Sequence, residues 1–221
     1  SETTKNDLVR IYGIDPDRIT VVYLGNSLFP AAFADCRPTI KLPEKYVFFV
    51  GTRNSYKNFG NFAMAMAELM RADHALKLVC AGGGKFSEEE RQLLSGLGIA
   101  DRVEQYNMSD ADLYFAYKNA LAFVFPSLYE GFGIPIVEAF VSGCPLALSR
   151  SSCFPEIAGD AAAYFDPQDV ASIRQTVGDL VYDDARRNEL RSKGLARGEI
   201  FTWEKTAEET MTVYRRLSRR K

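Results

Sequence analysis

Two glutamates flank a glycine-containing turn, and they are the residues of this 221-residue chain whose chemistry is easiest to interpret. Glu130 directly precedes Gly131 and Gly133, and Glu138 follows in an apolar segment that has helical character. A turn that leads into a helix presents free backbone N–H groups and the positive end of the helix dipole, which favour a phosphate. Carboxylates repel phosphate but accept hydrogen bonds from hydroxyl groups. The segment therefore predicts a ligand that is both phosphorylated and sugar-like.

Two cations lie in a second loop, residues 51–58, which begins with Gly51. Arg53 and Lys57 are the only basic residues of that loop. An arginine can bind two phosphate oxygens at once, and a lysine acts as a mobile point charge. The loop therefore predicts a phosphate contact. In the alternative interpretation Asn58 caps the next helix and the two cations are solvated.

A third loop, residues 81–85, reads Ala-Gly-Gly-Gly-Lys and contributes Gly82 and Gly83 as candidates for contact with a ligand. It is not a P-loop, because Phe86 stands where Ser or Thr should follow the lysine. It also lacks the spaced glycines of a dinucleotide-binding motif. A plain tight turn is an equally good interpretation.

Asp110 and Asp112 form an Asp-x-Asp pattern, which in some sugar transferases holds a divalent metal. We favour a simpler interpretation, in which Ser109 is a helix N-cap and the two acids lie in the first turn. The chain has one histidine, His74, and its four cysteines show no paired metal-ligand spacing. We therefore expect neither a metal nor a cofactor.

Strands and helices alternate along most of the chain. The predicted strands are residues 46–50, 76–81, 102–106, 121–125, 145–149 and 162–165. The predicted helices between and after them are residues 58–71, 87–97, 110–119, 134–143, 154–158, 169–182, 184–197 and 202–218. This order predicts an α/β fold, a Rossmann-like parallel sheet with helices on both faces. Each candidate loop follows a strand, where ligands of such sheets bind.

The first 43 residues do not fit this alternation. A helix over residues 2–12 and a strand over residues 19–24 precede an irregular stretch. A lone helix and strand bury little apolar surface, so they either dock on the main domain or belong to a domain that is mostly missing. We favour the second interpretation.

The formal net charge of −2 argues against nucleic acid as a partner. No signal peptide or long apolar span is recognisable, which predicts a cytoplasmic protein. The end of the chain, residues 215–221, is strongly basic. We interpret it as a solvated helix end, and peripheral contact with an anionic membrane surface is the alternative.

Taken together, these features resemble the retaining glycosyltransferases of group 1, which have two Rossmann-like domains in the GT-B architecture. The most specific match is residues 125–138, with the two glutamates separated by seven residues. Supporting matches are Val50-Gly51, Arg53, Lys57-Asn58, Gly143-Cys144-Pro145, Pro155-Glu156-Ile157, Gly159-Asp160-Ala161 and Phe165-Asp166-Pro167.

The resemblance implies four regions. Residues 1–24 would be the last helix and strand of a mostly missing N-terminal acceptor domain, and residues 25–43 a linker. Residues 44–200 would be the donor-binding domain, one half of a GT-B fold. Residues 201–221 would be a C-terminal helix that crosses back toward the acceptor domain.

The resemblance also implies roles for the candidate residues. Glu130 would lie near the donor hexose and diphosphate, and Glu138 would accept hydrogen bonds from the ribose. Arg53 and Lys57 would stabilise the departing diphosphate without a metal, and loss of either would raise the barrier by about 2–4 kcal/mol. The implied donor-binding residues are Gly51, Gly82, Gly83, Tyr106, Gly131, Phe132, Gly133, Ile134 and Glu138.

We therefore expect the donor-binding half of an enzyme of polysaccharide biosynthesis that moves a hexose from GDP-mannose or UDP-glucose. The acceptor would be a glycan or a lipid-linked sugar held by the missing domain, so the chain alone would be inactive. Two alternatives stay open: a non-catalytic sugar-nucleotide-binding module, and an epimerase of the same architecture.

Overall fold

The structure, a computed structural model, describes residues 1–53 and 55–218. Within them, six parallel strands form one sheet in the order β3-β2-β1-β4-β5-β6. The strands are β1 (Tyr46–Val50), β2 (Lys77–Ala81), β3 (Val103–Tyr106), β4 (Ala122–Phe125), β5 (Leu146–Ser149) and β6 (Ala163–Phe165). The prediction of a Rossmann-like parallel sheet is confirmed.

Helices connect the strands and cover both faces of the sheet. They are α1 (Glu2–Tyr12), α2 (Phe59–Ala72), α3 (Glu88–Gly96), α4 (Asp110–Asn119), α5 (Ile134–Val141), α6 (Phe154–Ala158), α7 (Val170–Tyr182), α8 (Asp184–Gly198) and α9 (Trp203–Ser218). Short 3-10 turns lie at Pro16–Arg18, Pro30–Phe33, Ser55–Lys57 and Ala100–Arg102. No helix in the described part of the chain is long and apolar enough to cross a membrane.

Alternate residues of a strand enter two separate cores. In β1, Tyr46 and Phe48 pack with α4, α5 and α6 on one face. Val47 and Phe49 pack with α2, α3, α7 and α8 on the other. Successive side chains of a strand point to opposite faces, so a strand covered on both faces is apolar throughout. This burial explains the continuous apolar runs in the sequence.

The strand order reverses between β1 and β4. In an open α/β sheet the crevice at such a reversal, outside the carboxyl ends of the strands, is the usual place for a ligand. The loops that follow β1 and β4 meet there, and the Leu128 N–H donates to the Tyr56 carbonyl over 2.8 Å. The topology therefore brings the loop of Lys57 beside the loop of Glu130.

The prediction of a strand over residues 19–24 is wrong, since these residues join no ladder within the described part of the chain. They lie instead beside the start of α9. The Thr206 hydroxyl donates to the Tyr23 carbonyl over 2.7 Å, and the Asn26 N–H donates to the Phe201 carbonyl over 3.1 Å. A strand pattern without a neighbouring strand gives extended backbone but no sheet pairing.

Residues 25–43, the predicted linker, pack on the main domain. Phe33 stacks on Tyr114 of α4 with ring centroids 5.3 Å apart, and Leu28 is 1% exposed. The domain boundaries stay a prediction. Of the basic chain end, Arg219, Arg220 and Lys221 lie outside the described residues.

Candidate functional site

Lys57 and Glu130 form an ion pair at the reversal of the strand order. The Lys57 Nζ lies 2.6 Å from the Glu130 Oε1, and the two side chains are 12% and 16% exposed. Lys57 follows β1 and Glu130 follows β4, so the fold brings together two residues that are distant in sequence. The Lys57 ammonium also lies 4.9 Å from the centre of the Phe125 ring. Shielding from water strengthens the attraction between the charges.

Arg53 points away from this pair and is occupied by protein groups. Its Nε donates to the Glu90 Oε1 over 2.9 Å, and the Arg53 side chain is 1% exposed. The two terminal nitrogens donate to the carbonyls of Gly82, Gly83, Gly84 and Lys85 over 2.9–3.3 Å. Here Arg53 organises the glycine loop. Its contact with a phosphate stays a prediction and requires it to leave these partners.

The glycine loop needs glycine for two reasons. Gly82, Gly83 and Gly84 have φ values of 76°, 68° and 69°, in the left-handed region that disfavours other residues. A Cβ on Gly83 would also lie 2.8 Å from the Arg53 Nη1 and 2.9 Å from the Gly51 carbonyl oxygen. The loop is therefore built around the arginine, which the sequence pattern alone does not indicate.

Glu138 lies on α5 and is half-buried. It accepts a hydrogen bond over 3.2 Å from the hydroxyl of Tyr117, which lies on α4. Burial raises the pKa of the Glu138 carboxyl, the charge of Asp110 raises it further, and the Tyr117 hydrogen bond opposes the rise. A partly desolvated carboxylate of this kind can accept further hydrogen bonds from the hydroxyls of a ligand.

In the turn before α5, Gly131 is exposed, whereas Phe132 and Gly133 are buried. Gly133 is the N-cap of α5 with a φ of 90°, so the helix begins where the prediction put it. Phe132 is 9% exposed and packs against the rings of Tyr23 and Phe201, with centroids 6.0 and 5.8 Å away. Ile134 packs on the same core. Any contact of Phe132 with a ligand must therefore come from its backbone.

A cleft of about 280 Å³ opens at the carboxyl ends of β1, β2 and β3. It is lined by Val50, Ala81, Gly82, Asn107, Met108 and Leu113. Of these, only Gly82 is among the predicted site residues. Val50, Met108 and Leu113 have the apolar side chains of core residues. The one sequence signal is that Val50 ends β1 and Met108 closely follows β3, whereas Leu113 lies in α4 and has no such signal. The cleft is largely apolar and can hold a flat ring.

Tyr106 lies next to these residues, and its hydroxyl is tied to protein groups. It donates to the Glu104 carboxylate, and the Lys41 carbonyl lies 3.2 Å away as a second acceptor. Burial, together with the bonded Glu104 carboxylate, raises the pKa of Tyr106 to about 12. The ring is thus fixed beside residues 25–43, and contact of Tyr106 with a donor stays a prediction.

Asp112 holds the predicted linker. Its carboxylate accepts from the Thr39 N–H over 2.6 Å and from the Thr39 hydroxyl over 2.8 Å. Ser109 is the N-cap of α4, which confirms the interpretation chosen for the Asp-x-Asp pattern. In the part of the chain that the structure describes, no group of three or more His, Cys, Asp or Glu residues is placed to hold a metal ion.

A Rossmann-like sheet with basic and glycine-rich loops at its reversal point is typical of nucleotide-binding α/β domains. Residues 35–197 match the sequence model of the glycosyl transferases group 1, and the chain belongs to that family.

Individual relatives agree with this assignment. The chain is 30% identical to the O-antigen chain mannosyltransferase B of Escherichia coli, over 98% of this chain and 59% of that protein. Its fold is similar to a sucrose-phosphate synthase of Thermosynechococcus elongatus, with a TM-score of 0.81, 23% identity and coverage of 100% and 58% of the two chains. It is also similar to the pneumococcal O-GlcNAc transferase GtfA solved with UDP and GlcNAc, with a TM-score of 0.74, 15% identity and coverage of 98% and 44%. The chain thus spans between two fifths and three fifths of these proteins.

Proposed function

We propose that this chain is the donor-binding half of a retaining glycosyltransferase that moves a hexose from a nucleotide-diphosphate sugar. The observation that carries the proposal is the Lys57–Glu130 ion pair, placed at the reversal of the sheet between a glycine loop and a helix N-terminus. Membership of the glycosyl transferases group 1 supports the reaction class. The mannosyltransferase among the relatives favours GDP-mannose as the donor over UDP-glucose.

Each part of the site has a proposed task. The apolar cleft takes the base, and Glu138 accepts hydrogen bonds from the ribose. The complex of UDP and GlcNAc in the similar pneumococcal structure supports a donor of this class. Residues 1–24 and 201–221 belong with an acceptor-binding half, which would hold a glycan or a lipid-linked acceptor, and contact with a membrane surface would be peripheral.

Lys57 is the proposed catalytic cation. Negative charge grows on the diphosphate as the bond to the hexose breaks, and a fixed ammonium in a shielded site stabilises that charge without a metal. Glu130 holds the ammonium in place and accepts hydrogen bonds from the hexose hydroxyls. Lys57→Met should lower turnover by about 30- to 900-fold in an enzyme that has both halves, since loss of the ammonium should raise the activation free energy by about 2–4 kcal/mol.

The first test is thermal unfolding of the 221-residue chain with GDP, UDP, ADP and the corresponding sugar nucleotides. A ligand at about 100 times its Kd adds about 2.7 kcal/mol of stability, a clear rise in Tm. Lys57→Met should reduce the rise, and Lys205→Met, at an exposed lysine of α9, serves as the matched control. The absence of any rise with every sugar nucleotide would refute the proposal.

The contacts of Arg53 favour a second candidate function, a sugar-nucleotide-binding module without catalysis. One of the two predicted catalytic cations is engaged by Glu90 and the glycine loop and is not presented to a ligand. Donor binding without transfer, in a protein that contains the acceptor-binding half, would support this candidate over the first.

A further inference from the structure

The N-terminal helix α1 is attached to the turn that carries Glu130. The Thr4 hydroxyl donates to the Gly131 carbonyl over 3.1 Å, and the Tyr129 hydroxyl donates to Asp7. None of the α1 residues is buried. Polar contacts, rather than an apolar interface, therefore determine where this helix lies.

The Glu156 carboxylate holds the first turn of α1. It accepts from the N–H groups of Glu2 over 2.7 Å and Thr3 over 3.2 Å. These groups have no partner within the helix, and a carboxylate also interacts favourably with the helix dipole. Burial acts to raise the pKa of Glu156, but the N–H groups of α1 together with the Tyr23 hydroxyl outweigh it and lower the pKa.

The same carboxylate also holds Tyr23. The Tyr23 hydroxyl donates to the Glu156 Oε1 over 2.8 Å, and the Tyr23 ring packs against Phe132 with centroids 6.0 Å apart. Glu156 thus fixes two elements, and each of them touches the turn next to Glu130: α1 at Gly131, and Tyr23 at Phe132.

The loop before Glu156 supports the turn directly. The Ser152 hydroxyl accepts from the Glu130 N–H over 3.1 Å, and the Cys153 thiol lies 3.2 Å from the Glu130 carbonyl oxygen. The segment of residues 152–156 therefore contacts the backbone of Glu130 on one side and, through Glu156, anchors the elements that hold the next two residues.

We propose that Glu156 is a positioning residue of the donor site, which keeps Glu130 within reach of Lys57 by anchoring α1 and Tyr23 against the turn. The role given to Glu130 rests on the proposed function, whereas the anchoring itself needs no ligand. Because the contacts run through α1, movement of that helix alters the site.

Hydrogen exchange of the ligand-free chain tests the anchoring. Glu156→Gln keeps the size of the side chain but replaces one acceptor oxygen with an NH₂ group that faces donors. Amides 129–133 should exchange at least about tenfold faster, since hydrogen bonds to a charged group contribute about 1.5–3 kcal/mol. Thr4→Val removes the bond to Gly131 and a contact with the Ser1 hydroxyl, and it should give a smaller increase because the Ser1 hydroxyl still donates to Gly131. Glu208→Gln, at an exposed carboxylate of α9, should give none.

The result that would overturn the proposal is faster exchange in α1 with unchanged exchange at amides 129–133 in both variants. That pattern would mean that Glu156 holds the helix but that the helix does not hold the turn. Thr4→Val keeps the test decisive if Glu156→Gln folds poorly.

Calorimetry with GDP and GDP-mannose separates positioning from general loss of structure. Glu156→Gln should weaken binding of GDP-mannose about tenfold and binding of GDP by clearly less, because Glu130 contacts the hexose directly and reaches the diphosphate only through Lys57. An equal loss for both ligands would overturn the proposal. If the unmodified chain binds neither ligand, the proposed function fails, and the exchange experiment still decides the anchoring.

Discussion

The variants Arg53→Met and Lys57→Met show how much each of the two cations contributes to the stability of the fold. Methionine replaces the aliphatic part of the arginine side chain but has neither charge nor donors, so the variant removes the ion pair with Glu90 and the hydrogen bonds to the glycine loop together. Lys57→Met is the matched comparison, since it removes one ion pair at the same edge of the sheet. We expect Arg53→Met to destabilise the fold much more than Lys57→Met.

The magnitude follows from burial and from the number of partners. The Arg53 side chain is 1% exposed and Glu90 is 17% exposed, and removal of one partner of a buried pair costs about 3–5 kcal/mol. Glu90 keeps the hydrogen bond from the Ser87 N–H, which favours the lower end, about 3 kcal/mol. Lys57 and Glu130 are 12% and 16% exposed and share one hydrogen bond, so Lys57→Met should cost about 1–2 kcal/mol.

Urea unfolding followed by circular dichroism measures both free energies of unfolding, and the shift of the midpoint at constant m gives the difference. Hydrogen exchange at residues 82–85 shows whether the loss is local to the glycine loop. If Arg53→Met costs no more than Lys57→Met, the contacts of Arg53 with the loop do not contribute to stability. The conclusion that Arg53 organises the loop would then be wrong.

Three further predictions concern other parts of the fold. Glu138→Gln should raise Tm at pH 8 but not at about pH 4, because burial raises the pKa of Glu138 and the wild-type protein loses stability as pH rises through that value. An equal change of Tm at both pH values would contradict this reasoning. The same variant should bind nucleotide more weakly. Gly25→Ala should lower the free energy of unfolding by about 2 kcal/mol in urea titrations, because a Cβ would overlap the backbone of Trp203; an unchanged midpoint would show that the two segments can separate freely. Asp112→Ala should speed exchange of the Thr39 amide about tenfold, because that N–H loses its acceptor; unchanged exchange would mean that other contacts hold residues 25–43.

Most of the architecture could be predicted from sequence, because the burial of a strand or helix leaves a local pattern of apolar residues. The strands of the sheet were predicted to within one residue at each end, since strands covered on both faces are continuous apolar runs. The start of α5 was predicted at Ile134, after Gly133. The wrong strand over residues 19–24 shows the limit of this reasoning. An extended pattern becomes a strand only where another strand lies beside it.

The partners of the site residues could not be predicted in the same way. Arg53 and Lys57 are four positions apart in one loop, yet one is bound to Glu90 and the glycine loop and the other to Glu130. Long cationic side chains reach acceptors in several directions, and the acceptors near them depend on which strand ends are neighbours. That arrangement is a property of the strand order.

The sequence by itself determined the family-specific segment around Glu130 and Glu138, the parallel sheet, and the edge of the sheet where the candidate residues lie. Each of these depends on residue type and local spacing. Only the tertiary structure decided that Lys57 meets Glu130, that Arg53 is held inside the glycine loop, and that Glu156 anchors α1 beside the turn. These contacts join residues that are far apart in the chain, so they exist only once the strand order has brought their loops together.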